Sequence, residues 1–353
     1  MESFSLVTAI VVAGIALVTL STVVPISKAE AEGYVSGEST VYSTYNGTAA
    51  PYPANNSAPI FPTAHGPAGD DDLMFQNLLG AEWVVFNFYQ QGVEAFTASK
   101  FTDAGFKPTT YDRIAEIRDN EAGHVAIFED SISSTSLKPG PCQYDYGFGT
   151  SAETYLVTQT VFEVVSMAFL TALSLQARLN ATKGALVAIA EVEARHLTWG
   201  LIDVWNVDPF SGPVDTVYPY VNQILDVTKQ FIIPGSCPEA NPVYPNPRQN
   251  LPQLSNGGNV YVPGDNITFV FMNASHVPSF CSDGEYYAVF FHGVESISVP
   301  YHVETKSSVI PDVFANRGII IAVIANEEGA PTEESVLAGP LFILLQPGGI
   351  ALP

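Results

Sequence analysis

The chain has little charge, and most of what it has is of one sign. Only 14% of its 353 residues are charged, with 13 Lys and Arg against 36 Asp and Glu, for a formal net charge of −23 at pH 7. So few cations exclude nucleic acid as a partner and argue equally against anionic membrane surfaces. Cysteine is scarce too, with three in all: Cys142, Cys237 and Cys281. In an oxidising compartment two pair and one is left over. Cys142 with Cys237 is the favoured bridge, because both lie in loops flanking the helical region described below, and pairs with Cys281 stay open. There is no Gly-rich phosphate loop and no G-x-S-x-G elbow.

Hydrophobic residues are plentiful at 47%, and the 27 Gly, 26 Pro and 16 Tyr point to long ordered loops and some β structure. The length allows two or three domains. An acidic, charge-poor surface suits an extracellular protein kept soluble partly by glycans. The N-terminus agrees. LVTAIVVAGIALVTLSTVVPI is an uncharged apolar run, followed by SKAEAEG, where Ser27 and Ala29 (or Ala29 and Ala31) fit a cleavage site, so residues 1–29 read as a signal peptide. Glu2 stands where such a peptide usually carries a cation. The run is also long enough to span a bilayer as an uncleaved anchor, the one case in which a membrane would be a partner. Five sequons follow, at Asn46, Asn55, Asn180, Asn266 and Asn273, consistent with a secreted glycoprotein.

Residues 30–70 are rich in Ser, Thr, Tyr, Pro and Asn without periodicity and predict an extended or disordered lead-in. Asp70 to Asp72 then offer a cap for a helical region over 71–235. The pattern predicts helices at about 73–100, 110–132, 151–179 and 183–205, and a fifth at about 215–232. The third and fourth are apolar nearly all round, as expected in the middle of a bundle. A Pro- and Asn-rich linker, 236–257, leads to β-rich runs bounded by Gly, Pro, Asn and Asp over 258–353, most simply a small β-sandwich.

The second and fourth predicted helices share a motif, Glu121-Ala-Gly-His124 and Glu193-Ala-Arg-His196. Residues three apart on a helix share a face. One such pair reads most simply as a surface ion pair. However, the first and third helices each carry a Glu in an apolar setting, Glu82 in LLGAEWVVF and Glu163 in TQTVFEVVSMAF. A carboxylate buried without a partner is strongly destabilising. A Glu from each of two helices, with Glu-x-x-His from each of two others, is the donor set of a dinuclear carboxylate centre in a four-helix bundle. Two nearby divalent cations repel each other, so carboxylates must bridge and neutralise them, and imidazole completes a set suited to Fe or Mn. Competing acids are Glu94, near a helix end, Glu116 and Glu191. Glu191 and Glu193 differ by about 200° around the helix, and the pairing with His196 selects Glu193. Tyr89, seven residues after Glu82, shares its face and reads either as a donor near the metals or as a core tyrosine. Asp119, Asp203 and Arg195 are candidate partners behind the ligands.

VEARH, the ALVAIA run leading to it, the Glu-x-x-His of the second helix, the Glu82 to Tyr89 spacing of the first and the ending FIIPGSCP resemble the ferritin-like family over about residues 70–240. The resemblance is to the subgroup of fungal secreted stress-response proteins and plant desiccation-related proteins. It implies an α+β multidomain fold: a ferritin-like four-helix bundle with a fifth C-terminal helix, then the β domain. It also implies that Glu121 and Glu193 bridge two divalent ions while Glu82 and Glu163 are terminal ligands. Many relatives have a second Glu three residues after the first ligand; here that position is Val85. Two functions are compatible with this set. One is redox chemistry on O2 or peroxide, ferroxidase-like or catalase-like. The other is non-catalytic stress protection at a cell wall or matrix, with the β domain serving attachment or self-association. A large storage cage is disfavoured by the loops, sequons and appended domain. In the tail, His276, Cys281, His292 and His302 do not make a blue-copper set, because no Met follows Cys281.

Overall fold

The computed structural model describes residues 67–210, 217–346 and 350–351, together with 37, 39–41 and 45–47 of the lead-in. The N-terminal apolar run, with its signal-or-anchor question, and Asn55 lie outside the described residues. The chain divides into two compact units. Of the described residues, one takes those up to Leu197 together with Ile224–Gln249, and the other takes Thr198–Gln223 and those from Asn250 onward.

The helices are α1 (Asp72–Ala95), α2 (Ala98–Asp103), α3 (Thr110–Ser131), α4 (Ala152–Gln176), α5 (Asn180–Trp199) and α6 (Val221–Thr228), with a π-helical turn at Gly200–Val204. The single helix expected over 73–100 is two helices. Phe96 leaves α1 in an extended conformation, with φ −115° and ψ 153°. This places its buried ring against Phe101, Phe148 and Tyr155, with centroids 5.3, 5.7 and 5.3 Å away. α4 starts where Ser151 caps it, its Oγ accepting from the Thr154 amide at 3.1 Å. α6 is shorter than the helix expected over 215–232, and it begins two residues after Pro219.

α1 and α4 are buried nearly all round, but α5 is not. Its buried residues Thr182, Ala185, Leu186, Ile189, Glu193 and His196 form one stripe, and Val187 is exposed. Apolar composition alone placed α5 mid-bundle, but its outer face mixes small side chains with Lys183, Glu191 and Arg195, which face water. The acidic start of α1 also works differently from a cap. Asp71 accepts from the Arg178 and Leu179 amides at 2.8 and 2.9 Å, and Asp72 accepts from the Ser133 amide at 2.6 Å. These carboxylates tie the ends of α4 and α3 to the start of α1.

Described residues of the lead-in, expected to be extended or disordered, are anchored, and so is the linker. In the lead-in, Val41 is buried, the Tyr45 ring meets Trp83 edge-on at 5.4 Å, and the Thr40 amide donates to Glu94 at 3.2 Å. In the linker, Asn241 exchanges two hydrogen bonds with Gly140, and Asn246 exchanges two with Asn77. Between them Tyr244 lies flat on α1 at Gly80, where a Cβ would stand 2.6 Å from its ring. Asn side chains can mimic a backbone strand partner, so an Asn-rich stretch need not be a free tether. The Cys142–Cys237 disulfide forms, closing a separation of 95 residues, and Cys281 is a free, exposed thiol.

The second unit holds three antiparallel sheets. β1 (Leu254–Ser255) pairs with β3 (Val270–Phe271), and β2 (Asn266–Thr268) pairs with β6 (Ser307–Val309). The third sheet has the order β5-β4-β7-β8-β9, from β4 (Tyr287–His292), β5 (Glu295–Pro300), β7 (Ile319–Ala325), β8 (Val336–Leu344) and β9 (Ile350–Ala351). β7 is IIIAVIA and buried throughout, as an unbroken apolar run requires. One face of the sheet packs into a cluster that includes Leu254, Ile267, Phe269, Phe290, Ile320 and Leu341. On the other face Tyr218 meets Phe291 edge-on at 5.1 Å, which is how residues 198–223 join this unit. His292 is buried with Nδ1 2.7 Å from the Ile319 carbonyl. The described sequons Asn46, Asn180, Asn266 and Asn273 are all exposed.

Candidate metal centre

Four helices supply the centre. α1 brings Glu82, α3 brings Glu121 and His124, α4 brings Glu163, and α5 brings Glu193 and His196. All six side chains are buried, Glu121 and Glu163 completely. The three-residue spacing does locally what helix geometry requires. His124 Nδ1 lies 2.9 Å from Glu121 Oε2, and His196 Nδ1 lies 3.5 Å from Glu193 Oε2.

The cross-helix distances divide the set into two halves. Glu121 turns its other oxygen, Oε1, to His196 at 3.2 Å, and Glu193 turns Oε1 to His124 at 3.3 Å. Both acids therefore reach both histidines. Glu82 approaches His124 at 3.6 Å, and Glu163 approaches His196 at 3.4 Å. Glu82, Glu121 and His124 can present ligand atoms within 4.8 Å of one another, and so can Glu121, Glu163, Glu193 and His196. The competing acids stand aside: Glu116 and Glu191 are exposed, and Glu94 holds the lead-in.

Do these residues fit a metal? Glu82 Oε1, Glu121 Oε1, Glu163 Oε2, Glu193 Oε2 and His196 Nδ1 are buried and make no hydrogen bond. Buried acceptors are normally satisfied. Here they converge at ion-pair distances. Carboxylate oxygen and imidazole nitrogen together suit first-row cations. The donor set fits.

The electrostatics agree. Burial, then the Glu121 charge, push the Glu82 carboxyl well above its ordinary value, and burial pushes Glu163 up to about 8. Burial also pushes Glu121 and Glu193 upward, but the facing imidazoles overcome it and hold both low. Burial opposes charging of the two histidines, yet Glu121 beside His124 and Glu163 beside His196 raise both well above the usual range. Glu82, Glu163 and the two histidines thus keep protons that cations would displace.

Tyr89 is fully buried, and its hydroxyl donates to Glu163 Oε1, leaving Oε2 turned to His196. The sequence missed one partner. Asn120 Oδ1 lies 3.2 Å from His196 Nε2, where it accepts the ring N–H and keeps Nδ1 turned to the carboxylates. Of the partners expected there, Asp119 accepts from Arg118 at 2.7 Å and Arg195 is exposed. The only sequence signal for Asn120 is its place immediately before Glu121. Asn120→Ala should weaken metal binding by about 10- to 100-fold with the fold intact. A competition titration against a chelator measures this, and unchanged affinity would remove Asn120 from the centre.

No curated protein matches the chain. Residues 70–201 match the family model of the ferritin-like domain. That stretch carries all six converging side chains, Tyr89 and Asn120, so the helical unit contains a ferritin-like domain built around a buried Glu/His cluster able to hold metal ions.

Proposed function

We propose that this is a secreted ferritin-like protein that holds two divalent ions, iron or manganese, and handles oxidants or metal under stress. The observation carrying this reading is that Glu121 and Glu193 each face both histidines, while Glu82 and Glu163 each face one. On that division Glu121 and Glu193 would hold ions in both halves and Glu82 and Glu163 would each hold one, with α1, α3, α4 and α5 as the four helices of the bundle. Two such ions, when bound, supply Lewis-acid and one-electron chemistry toward O2 or peroxide. The chain's own residues do the rest. Tyr89 holds Glu163 in one orientation and keeps a proton at its hydroxyl beside the centre, and Asn120 orients His196. The burial of every candidate ligand suits substrates of a few atoms such as O2 or peroxide.

Membership of the fungal and plant stress-related subgroup rests on VEARH and FIIPGSCP. Export is supported by the N-terminal apolar run, and glycosylation by the four exposed sequons. The shared core cluster between the sheets supports a β-sandwich, which would serve attachment or self-association. Elemental analysis of protein purified from culture medium should find two Fe or Mn per chain. Peroxide consumption or Fe(II) oxidation should then follow, and Glu121→Ala should abolish it. Two ions without turnover would assign the non-catalytic, protective role, and a wild type carrying only trace metal would sink both readings.

A further inference from the structure

One buried polar group of the helical unit has no place in the centre as described. Gln159 lies on α4 four residues before Glu163, so its side chain stands one turn away on the same face. It is completely buried. Its Oε1 accepts from Thr160 Oγ1 at 3.4 Å, but its Nε2 has no acceptor in the protein. Tyr155, one turn to the other side, and Glu163 both act on the Tyr89 hydroxyl. The Gln159 amide therefore belongs to the same buried polar layer as Tyr89 and the Glu163 half of the centre.

A buried N–H without an acceptor is destabilising, and a Leu of similar shape would avoid the loss. The orphan oxygens of Glu82, Glu121, Glu163 and Glu193 are acceptors, which call for cations. This one is a donor, which calls for lone pairs. The Tyr89 proton is already committed to Glu163, leaving the amide free. We infer that Gln159 Nε2 donates to a small anion of the hydroxide, hydroperoxide or azide class held at the Glu163 half of the centre, and so sets which exogenous ligand that half accepts. The inference rests on the metal reading proposed above.

The test compares wild type, Gln159→Leu and the near-isosteric Gln159→Met, each loaded with iron and titrated with azide by optical absorption. Both variants should keep two irons per chain. Loss of a hydrogen bond to a charged acceptor should lower their azide affinity by about 10- to 100-fold. Their metal-free forms should melt higher, by about 2–4 °C, because the orphan donor is gone. Azide affinity within about twofold of wild type, loss of iron, or a lower melting point would each overturn the assignment and make Gln159 a packing residue. A wild type that takes up no iron overturns the metal reading and this inference together, and elemental analysis distinguishes that case from failure of the inference alone.

Discussion

Glu121→Ala is expected to release both metal ions together. Its two oxygens face different histidines, Oε2 at 2.9 Å from His124 and Oε1 at 3.2 Å from His196, so one substitution opens both halves. Metal content should fall from two per chain to near zero, with affinity lowered by more than about 100-fold. Glu82→Ala, which faces only His124, should spare the half around His196. Retention of one ion by Glu121→Ala would show that the two halves bind independently and that Glu121 is not shared between them. The charge pattern adds a pH signature to the metal-free wild type. Glu163 binds its proton up to a pH of about 8 in the folded chain against an ordinary 4.5, so stability falls as pH rises through that window. Glu82, raised in the same way, adds to the fall, and so do the two raised histidines from their ordinary 6.5 upward. Glu121 and Glu193 are lowered and act oppositely, losing their contribution as pH drops below 4.5. Metal-free protein should therefore melt highest in mild acid, and loading with metal should raise the alkaline limb most, because cations replace the retained protons. A melting point that rises steadily from pH 5 to 8 without metal would contradict the arrangement.

Gly92→Ala should destabilise the helical unit, although alanine favours a helix interior over glycine by about 1 kcal/mol. A Cβ at Gly92 would stand 2.2 Å from both Cζ and the hydroxyl oxygen of Tyr155. That ring has no room to retreat. It is completely buried and stacked on Phe88 at 4.5 Å, with Phe148 edge-on at 5.2 Å and Phe96 at 5.3 Å. Overpacking of this kind destabilises by about 1–3 kcal/mol, occasionally more, and an approach this far inside contact distance belongs at the upper end. Thermal melting of the metal-free protein reads the change directly. An equal or higher melting point would mean that Tyr155 moves freely and that the aromatic cluster does not define the packing of α1 on α4.

Much of the centre was legible because its grammar is local. Helix geometry puts Glu121 with His124 and Glu193 with His196, and it turns Glu191 outward, whatever the rest of the chain does. The apolar neighbours of Glu82 and Glu163 marked them as acids needing partners. What composition could not convey was the behaviour of polar segments that pack. The lead-in read as extended or disordered and the linker as merely Pro- and Asn-rich, yet Tyr45 sits on Trp83, and Asn246 binds Asn77 from 169 residues away. The break at Phe96 was equally hidden, since it depends on rings from α2 and α4 waiting to receive it.

By itself, then, the sequence determined which side chains meet in the buried Glu/His cluster, because periodicity within a helix decides which residues share a face. Tertiary structure alone decided that Glu121 and Glu193 span both histidines, that Asn120 rather than an acid steadies His196, and that residues 198–223 side with the sheets. Each of these depends on which oxygen, amide or ring arrives from a distant element, and no local pattern encodes that approach.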